Sequence, residues 1–486
     1  MPSMAFAPEY VRLVLHEIFE DAKTLFLASL RTIDYAHLVM LVEQGIVTRE
    51  DGRRLRDAMR AVTDDDLRAA PYDTGCEDLF FYVSHRLADV CGDVSGHLHT
   101  ARSRNDIDMT MYRMRVGEEV LELAEAFIAL RDALVPLAAK HTTTIFAAHT
   151  HTQPAQPTTL AHYLLGVVEQ VERDHARFRA AYETVNRCPL GACAITGTGF
   201  PIDRERTSHL LGFDAPTGNT YGSIATVDYL LEALTTLVVG MIGLGRVLQD
   251  LLLWCTAEVG YVRLGEGFVQ CSSIMPQKRN PVALEHARAL ASKAVGQAQA
   301  ATLAVHNTPF GDVVDTEDDL QPLVHAAFRD AIRATGLTAA ALADVEIDVA
   351  RMRERAGIGW TTVTELADTL TRAHGVPFQR SHHIAARLVA ARRERPWEAS
   401  ADALKRLSRE VAGCEISYEE ETLRRMLTPE HFVSVRRTRG GPAPDVVAVA
   451  IADAQRILDR DRVWIEARRA ALGAAGRELR AAVEAL

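Results

Sequence analysis

At 486 residues the chain has length for two or three domains and a large buried core. Its 48% hydrophobic and 24% charged residues mark a globular protein, and a formal charge of −11 excludes a nucleic-acid binder that relies on neutralising phosphates. The seven cysteines, Cys76, Cys91, Cys188, Cys193, Cys255, Cys271 and Cys414, are odd in number, scattered and free of any C-x-x-C pair. Neither a disulfide framework nor a zinc site is expected, and a reducing cytoplasm fits best.

The N-terminal stretch MPSMAFAPEYVRLVLHEIFEDAK has no basic region followed by an apolar core, so no secretory signal is expected. Long helical stretches follow, from about Met109 to Lys140, from Thr158 to Val185, from Ile224 to Cys255, from Pro281 to Val305 and from Leu320 to Leu342. In the second, Leu160, Leu164, Val167 and Val171 fall at three- and four-residue steps and Phe178 follows after one skipped turn, a seam typical of helices packed lengthwise. The run Ala233 to Gly245 is apolar nearly all round but lies between Glu232 and Arg246. That is shorter than the roughly 20 residues a bilayer requires. It predicts a helix buried among other helices, with no membrane partner.

Strand signals are weak and no repeat is visible, so the class is all-α: an elongated central helical bundle with smaller helical domains at either end. Soft boundaries near Asp108 and Ala356 divide the chain into an N-terminal domain 1–108, a bundle 109–355 and a C-terminal domain 356–486.

Three polar loops interrupt the helices. In GHLHTARSRNDIDMT, Gly96 to Thr110, the residues Ser103, Arg104 and Asn105 cluster beside Arg102, and arginine forks match carboxylates. In HTHTQPAQP, His149 to Pro157, two histidines stand two apart without a third ligand nearby, which suits a catalytic or substrate-binding histidine better than a metal site. In QCSSIMPQKRNPVALEHAR, Gln270 to Arg288, Pro281 suits a first helical turn and Asn280 suits the cap before it. Ser272, Ser273, Lys278 and Arg279 would then sit at the positive end of a helix dipole, a place for an anion. Read singly, each loop is equally an ordinary surface or capping loop.

Together they resemble the fumarase/aspartase superfamily, whose signature G-S-S-x-M-P-x-K-x-N-P reads here as CSSIMPQKRNP, and within it the argininosuccinate lyase group. The stretches IDYAHLVMLVEQGIVTREDG, HLHTARSRND, THTQPAQP, PLGACAITGTGFPIDRE, TELADTLTRAHGVPF and GGPAPDVV carry that likeness in order from about Ile33 to Val447. The resemblance implies a homotetramer with active sites assembled from loops of three subunits, and a reversible β-elimination of fumarate from an N-substituted aspartate. It implies Ser272 as general base, Lys278 and Asn280 as support for developing charge, and His151 beside Thr150 on the leaving-group side. Ser103, Arg104 and Asn105 become a substrate-carboxylate cluster, and Gln277 and Gln321 further substrate contacts. No cofactor, metal or nucleic acid is implied.

The chain departs from that pattern where substrate identity is concerned. Cys271 replaces a glycine, Phe80 a histidine, Thr316 a tyrosine, Val324 a lysine, and Gly222 and Val227 an aspartate and an arginine; the N-terminal serine/aspartate segment is not recognisable. Losing polar partners weakens recognition of a guanidino amino acid. The favoured reading is a lyase of this group acting on an argininosuccinate-like substrate other than argininosuccinate. Genuine argininosuccinate cleavage and a catalytically silent, crystallin-like relative are the alternatives.

Overall fold

A computed structural model describes residues 6–395 and 398–486. The N-terminal layer holds α1 (His16–Leu25), α2 (Leu27–Glu43), α3 (Arg49–Ala61), α4 (Asp64–Ala69) and α5 (Leu79–Cys91). Local chemistry starts three of them. The side chains of Thr48, Thr63 and Asp78 accept from the amides of Asp51, Asp66 and Phe81 at 3.1, 3.1 and 2.9 Å, satisfying donors that a helix N-terminus leaves open.

Five long helices follow: α6 (Arg104–Lys140), α7 (Leu160–Val185), α8 (Asp228–Trp254), α9 (Val282–Ala304) and α10 (Gln321–Ala343). Each packs on the next, and α10 returns to α6, so the bundle closes on itself. The expected seam on α7 is buried through Leu160, Leu164, Val171 and Phe178, with Val168 fully inside and Val167 at the margin. Phe127 and Phe178 meet edge to face at 4.9 Å, and Gly240 of α8 approaches so closely that an added Cβ would lie 3.0 Å from the Phe127 ring. On α9, Ala287, Ala291, Ala294, Ala298 and Ala301 form a buried stripe at helical spacing that lets α8 and α10 come near. Truncating Phe178, 1% exposed, would cost about 3–5 kcal/mol.

α6 begins five residues before the expected Met109. Ser103 takes the cap position and its amide donates to Asp106 Oδ1 at 2.8 Å. The other oxygen of Asp106 accepts from the amides of Gly191 and Cys193 at 2.8 and 2.9 Å, so the PLGACA loop is fastened to the first turn of α6. By length and mean hydropathy of 1.6, α8 would qualify to cross a membrane, yet half of its most apolar window is buried inside the protein. Its outer face shows Val239, Ile242 and Leu253 to solvent.

Beyond the bundle, α11 (Val363–His374), α12 (Phe378–Glu394), α13 (Ser400–Ala412) and α14 (Glu420–Met426) close around a separate apolar core that includes Leu366, Leu370, Ile384, Leu404 and Leu423. The last helix, α15 (Pro444–Glu484), returns to lie on α6 and α7. There Arg131, fully buried, meets Asp461 at 2.9 Å, and His175 Nδ1 lies 3.5 Å from the same carboxylate.

Candidate active site

Arg104 and Asn105 open the first turn of α6, where the chain leaves the Ser103 cap. Rather than standing free, Arg104 donates to Glu77 at 2.7 Å and to Asp78 at 2.9 Å, with Asp108 3.8 Å from its Nε. The Ser103 hydroxyl donates to Asn105 Oδ1 at 2.9 Å, and the Asn105 amide donates to Asp312. Arg102, expected beside this cluster, is instead sunk into the fold against Asp34 at 2.7 Å, both side chains 3% exposed.

Further acids near Arg104 come from a second segment, Asp312 to Asp318. Asp318 accepts from the Tyr112 hydroxyl at 2.9 Å, and Glu317 stands beside Asp312. Burial first, and then a hydrogen bond with Asp312 and the charges of Asp312 and Asp318, push the Glu317 carboxyl up to about 8. Burial, then Asp318 and Asp78, raise Asp108 well above the usual carboxylate range. An aromatic pair flanks Asp312: Tyr221 stacks on Phe310 at 5.9 Å and donates to its carbonyl at 3.2 Å.

The Ser272 loop is closed by a small β-hairpin, β3 (Gln270–Cys271) with β4 (Arg279–Asn280), where no strand was expected. Asn280 therefore does not cap the following helix. It pairs with Gln270, its side-chain amide donating to the Gln270 carbonyl at 3.1 Å, while Pro281 takes the cap position and α9 starts at Val282. Arg279 is paired with Glu266 and also donates to Leu264 O at 3.0 Å, so the second cation of the loop is already engaged. Lys278 and Gln277 are exposed and make no side-chain hydrogen bond or ion pair among the described residues. Ser272 is half-buried, and its Oγ accepts from the amides of Ile274 and Met275 at 3.3 and 3.1 Å.

His149, Thr150 and His151 lie on a second hairpin, not a loop: β1 (Ile145–Thr150) pairs antiparallel with β2 (Gln153–Thr159), with a bulge at His149. Its turn residues His151 and Thr152 both have positive φ, +49° and +64°. Two such residues make a tight primed turn, usually built from Asn and Gly, and a β-branched threonine there is strained. All three side chains at the tip are exposed, and no further ligand completes a metal-binding group with the two histidines among the described residues.

Within one chain, no hydrogen bond or ion pair links the Arg104 corner, the Ser272 loop and the His151 turn among the described residues. Gln321 stays apart from all three: it is 4% exposed, its amide 3.5 Å from the Thr316 carbonyl. In that segment Glu317 and Asp318, rather than Gln321, face Arg104. The departures read from the sequence are apolar or satisfied positions. Phe80 packs on His99 at 5.1 Å and beneath Arg102, Val324 is in the core, and Thr316 donates to Val313 O at 2.9 Å.

The Lyase family matches residues 36–296, and the argininosuccinate lyase C-terminal family residues 360–434. The chain is 40% identical over 454 residues to argininosuccinate lyase 2 of Agrobacterium fabrum, covering 92% of this chain and 89% of that protein. It is 38% identical over 444 residues to an argininosuccinate lyase of Methanoculleus marisnigri, covering 91% and 90%. Its structure is similar to that of EDDS lyase in complex with formate, with a TM-score of 0.87 and 31% identity over 99% of this chain and 96% of that one. Likeness of this extent, through both the bundle and the C-terminal helices, makes the chain a member of the argininosuccinate lyase group of the fumarase/aspartase superfamily and a carbon–nitrogen lyase.

Proposed function

We propose that the protein catalyses the reversible β-elimination of fumarate from an N-substituted L-aspartate. A base removes a proton from the succinyl carbon beside the carboxylate. The electron pair left behind forms the double bond, the carbon–nitrogen bond breaks, and the nitrogen leaves with that bond's pair and takes up a proton. The observation that carries this reading is the Ser272 hydroxyl, on which two backbone amides converge, in a loop that also carries the exposed ammonium of Lys278. Donors fixed in advance stabilise an alkoxide and so make serine a usable base.

In this reading Ser272 is the base, Lys278 and Asn280 hold the charge pushed onto the substrate carboxylate, and His151 with Thr150 serves the leaving nitrogen. Ser103, Arg104, Asn105, Gln277 and Gln321 bind substrate. We propose that these groups meet through association, in a homotetramer sharing its sites. The exposed apolar face of α8 and the exposed His151 turn support it. A cytoplasmic setting suits the seven free cysteines. The division at about residues 108 and 356 is retained as a proposal, with residues 363–426 having their own core.

The test is to offer the purified protein argininosuccinate, and separately fumarate with a panel of amines, following fumarate absorbance and product mass. Fumarate release or consumption that vanishes in Ser272→Ala is expected. Arginine formed at an ordinary enzymatic rate would favour argininosuccinate as the substrate, which the names of the relatives support. Absence of any reaction would favour the silent relative.

A further inference from the structure

A cavity of about 350 Å3 lies between α2, the stretch of α6 from Arg113 to Glu118 and the end of α7. That volume is within the range of small-molecule sites, about 300–1,000 Å3. None of the residues assigned above to substrate or chemistry lines it, and Arg113 stands nine residues beyond Arg104, about 14 Å along α6. Leu25, Leu211 and Phe213 give it an apolar wall.

Three polar side chains of the lining, Arg113, Tyr182 and Asn186, are only 4, 3 and 6% exposed, and all have hydrogen-bonding capacity left over. The Tyr182 hydroxyl and the Asn186 amide make no hydrogen bond among the described residues, yet neither is sealed from solvent, so they face the cavity that they line. They stand four residues apart, on one face of α7 and its cap. Burial pushes the Tyr182 phenol up to about 12, so its hydroxyl stays a donor. Arg113 spends only Nη1, on the carbonyls of Thr184 and Val185 at 3.0 and 3.3 Å, while its guanidinium lies 4.0 Å from the centre of the Tyr229 ring. Its Nε is buried without a partner. Nη2 has none either and stays within reach of solvent.

The charge of Arg113 is also unmatched. No carboxylate pairs with it among the described residues, whereas Arg115 donates to Glu119 at 2.9 Å and Glu118 is held by Arg469. The two carbonyls that Arg113 contacts end α7, and a helix terminus carries roughly half a negative charge, which balances the guanidinium only in part. A buried cation without a full counter-charge is costly, and a bound anion relieves it. One guanidinium fork with an amide and a hydroxyl beside it matches one carboxylate. A second carboxylate on the same ligand would meet Glu118, and the rest of the wall is apolar.

We propose that this cavity is a further ligand site, one that binds a small monocarboxylate with an apolar body, its carboxylate received by Arg113, Tyr182 and Asn186. The site stands independently of the lyase reading, and its test does not depend on turnover.

The experiment is calorimetric titration of the full-length protein, with fumarate saturating, by 4-phenylbutanoate, by its neutral isostere 4-phenylbutanamide and by inorganic phosphate. The expected result is one bound acid per chain, at least about tenfold tighter than the amide and not displaced by phosphate. Arg113→Gln should bring the acid down to the affinity of the amide. Ala28→Trp, which fills the cavity from an exposed position on α2, should abolish binding of the acid, and it decides the matter if Arg113→Gln does not fold. Equal affinity for acid and amide overturns the proposal, because the charge of Arg113 would then go unread. Displacement by phosphate overturns it in favour of an inorganic-anion site, and displacement by fumarate in favour of the site that takes fumarate. Unaltered binding in Ala28→Trp, or no binding of the acid to the parent, overturns it as well.

Discussion

Arg104, which we propose binds a substrate carboxylate, is shared between two neighbouring acids, 2.7 Å from Glu77 and 2.9 Å from Asp78. A guanidinium has five donors, so it can hold both acids and still present an edge to a ligand. A lysine ammonium is a point charge that cannot bridge the set. Arg104→Lys is therefore expected to lower kcat/KM by about two orders of magnitude and to lower the melting temperature by only a few degrees, because the group is partly exposed. Steady-state kinetics with a thermal melt separates the two. Unchanged kinetics would leave Arg104 a purely structural link between α6 and the cap of α5.

The Ser272 loop yields a cleaner separation. The side chain accepts two amides but supports no core contact, and its neighbours are exposed. Ser272→Ala should reduce kcat by about 10²–10⁴-fold. Its melting temperature should stay within about a degree of the parent's, the usual behaviour of substitutions outside the core. A Ser272→Ala protein with parental turnover would take the base assignment away from this residue.

The bundle was legible because burial imposes a helical period, and Leu160, Leu164 and Val171 fall inside as that period requires. Both hairpins were not. Pro154 and Pro157 disguise β2, and β3 and β4 are two residues each, shorter than any alternation that could announce them. Arg279 looked like a free cation because its partner, Glu266, lies outside the motif. The acids at Asp312, Glu317 and Asp318 were missed for a related reason: what sets them opposite Arg104 is the closure of α10 onto α6, a contact no local pattern encodes. The stretch DVVDTEDD held the only signal, an acidic run that sequence reading assigns by default to solvent.

The turn at His151 stores strain that can be measured. Thr152 is β-branched and held at φ +64°, a conformation that costs non-glycine residues about 1–2 kcal/mol. Thr152→Gly removes that cost and adds chain entropy to the unfolded state, so a net gain of about 0.5–1 kcal/mol is expected by urea unfolding. If the strain also orients His151, the same variant should lose turnover while gaining stability. Parallel loss of both would mean that the threonine side chain is needed for packing.

His175 sets an acid limit on the junction between α15 and the bundle. Burial lowers its pKa from the ordinary 6.5 to about 4, with Asp461 opposing and Arg131 assisting the shift. The unfolded chain thus binds a proton that the folded chain refuses between those values. Stability is intact above pH 6.5 and falls as pH drops toward 4, by about 3 kcal/mol in all. His37, lowered to about 3 by burial and Arg102, adds a loss that continues to lower pH. His175→Phe should flatten the upper part of this dependence in urea titrations at pH 7, 5.5 and 4. Asp461→Ala should destabilise by about 3–5 kcal/mol at all three, since it leaves Arg131 buried and unpaired.

Glu317 has the opposite sign. Its folded pKa of about 8 stands above the ordinary 4.5, chiefly through burial and then through Asp312. The folded chain keeps a proton that the unfolded chain has lost, so the stability associated with this group is present below about pH 4.5 and disappears as pH rises through 8. Glu317→Gln should therefore melt higher than the parent at pH 8.5 and equally at pH 4.5.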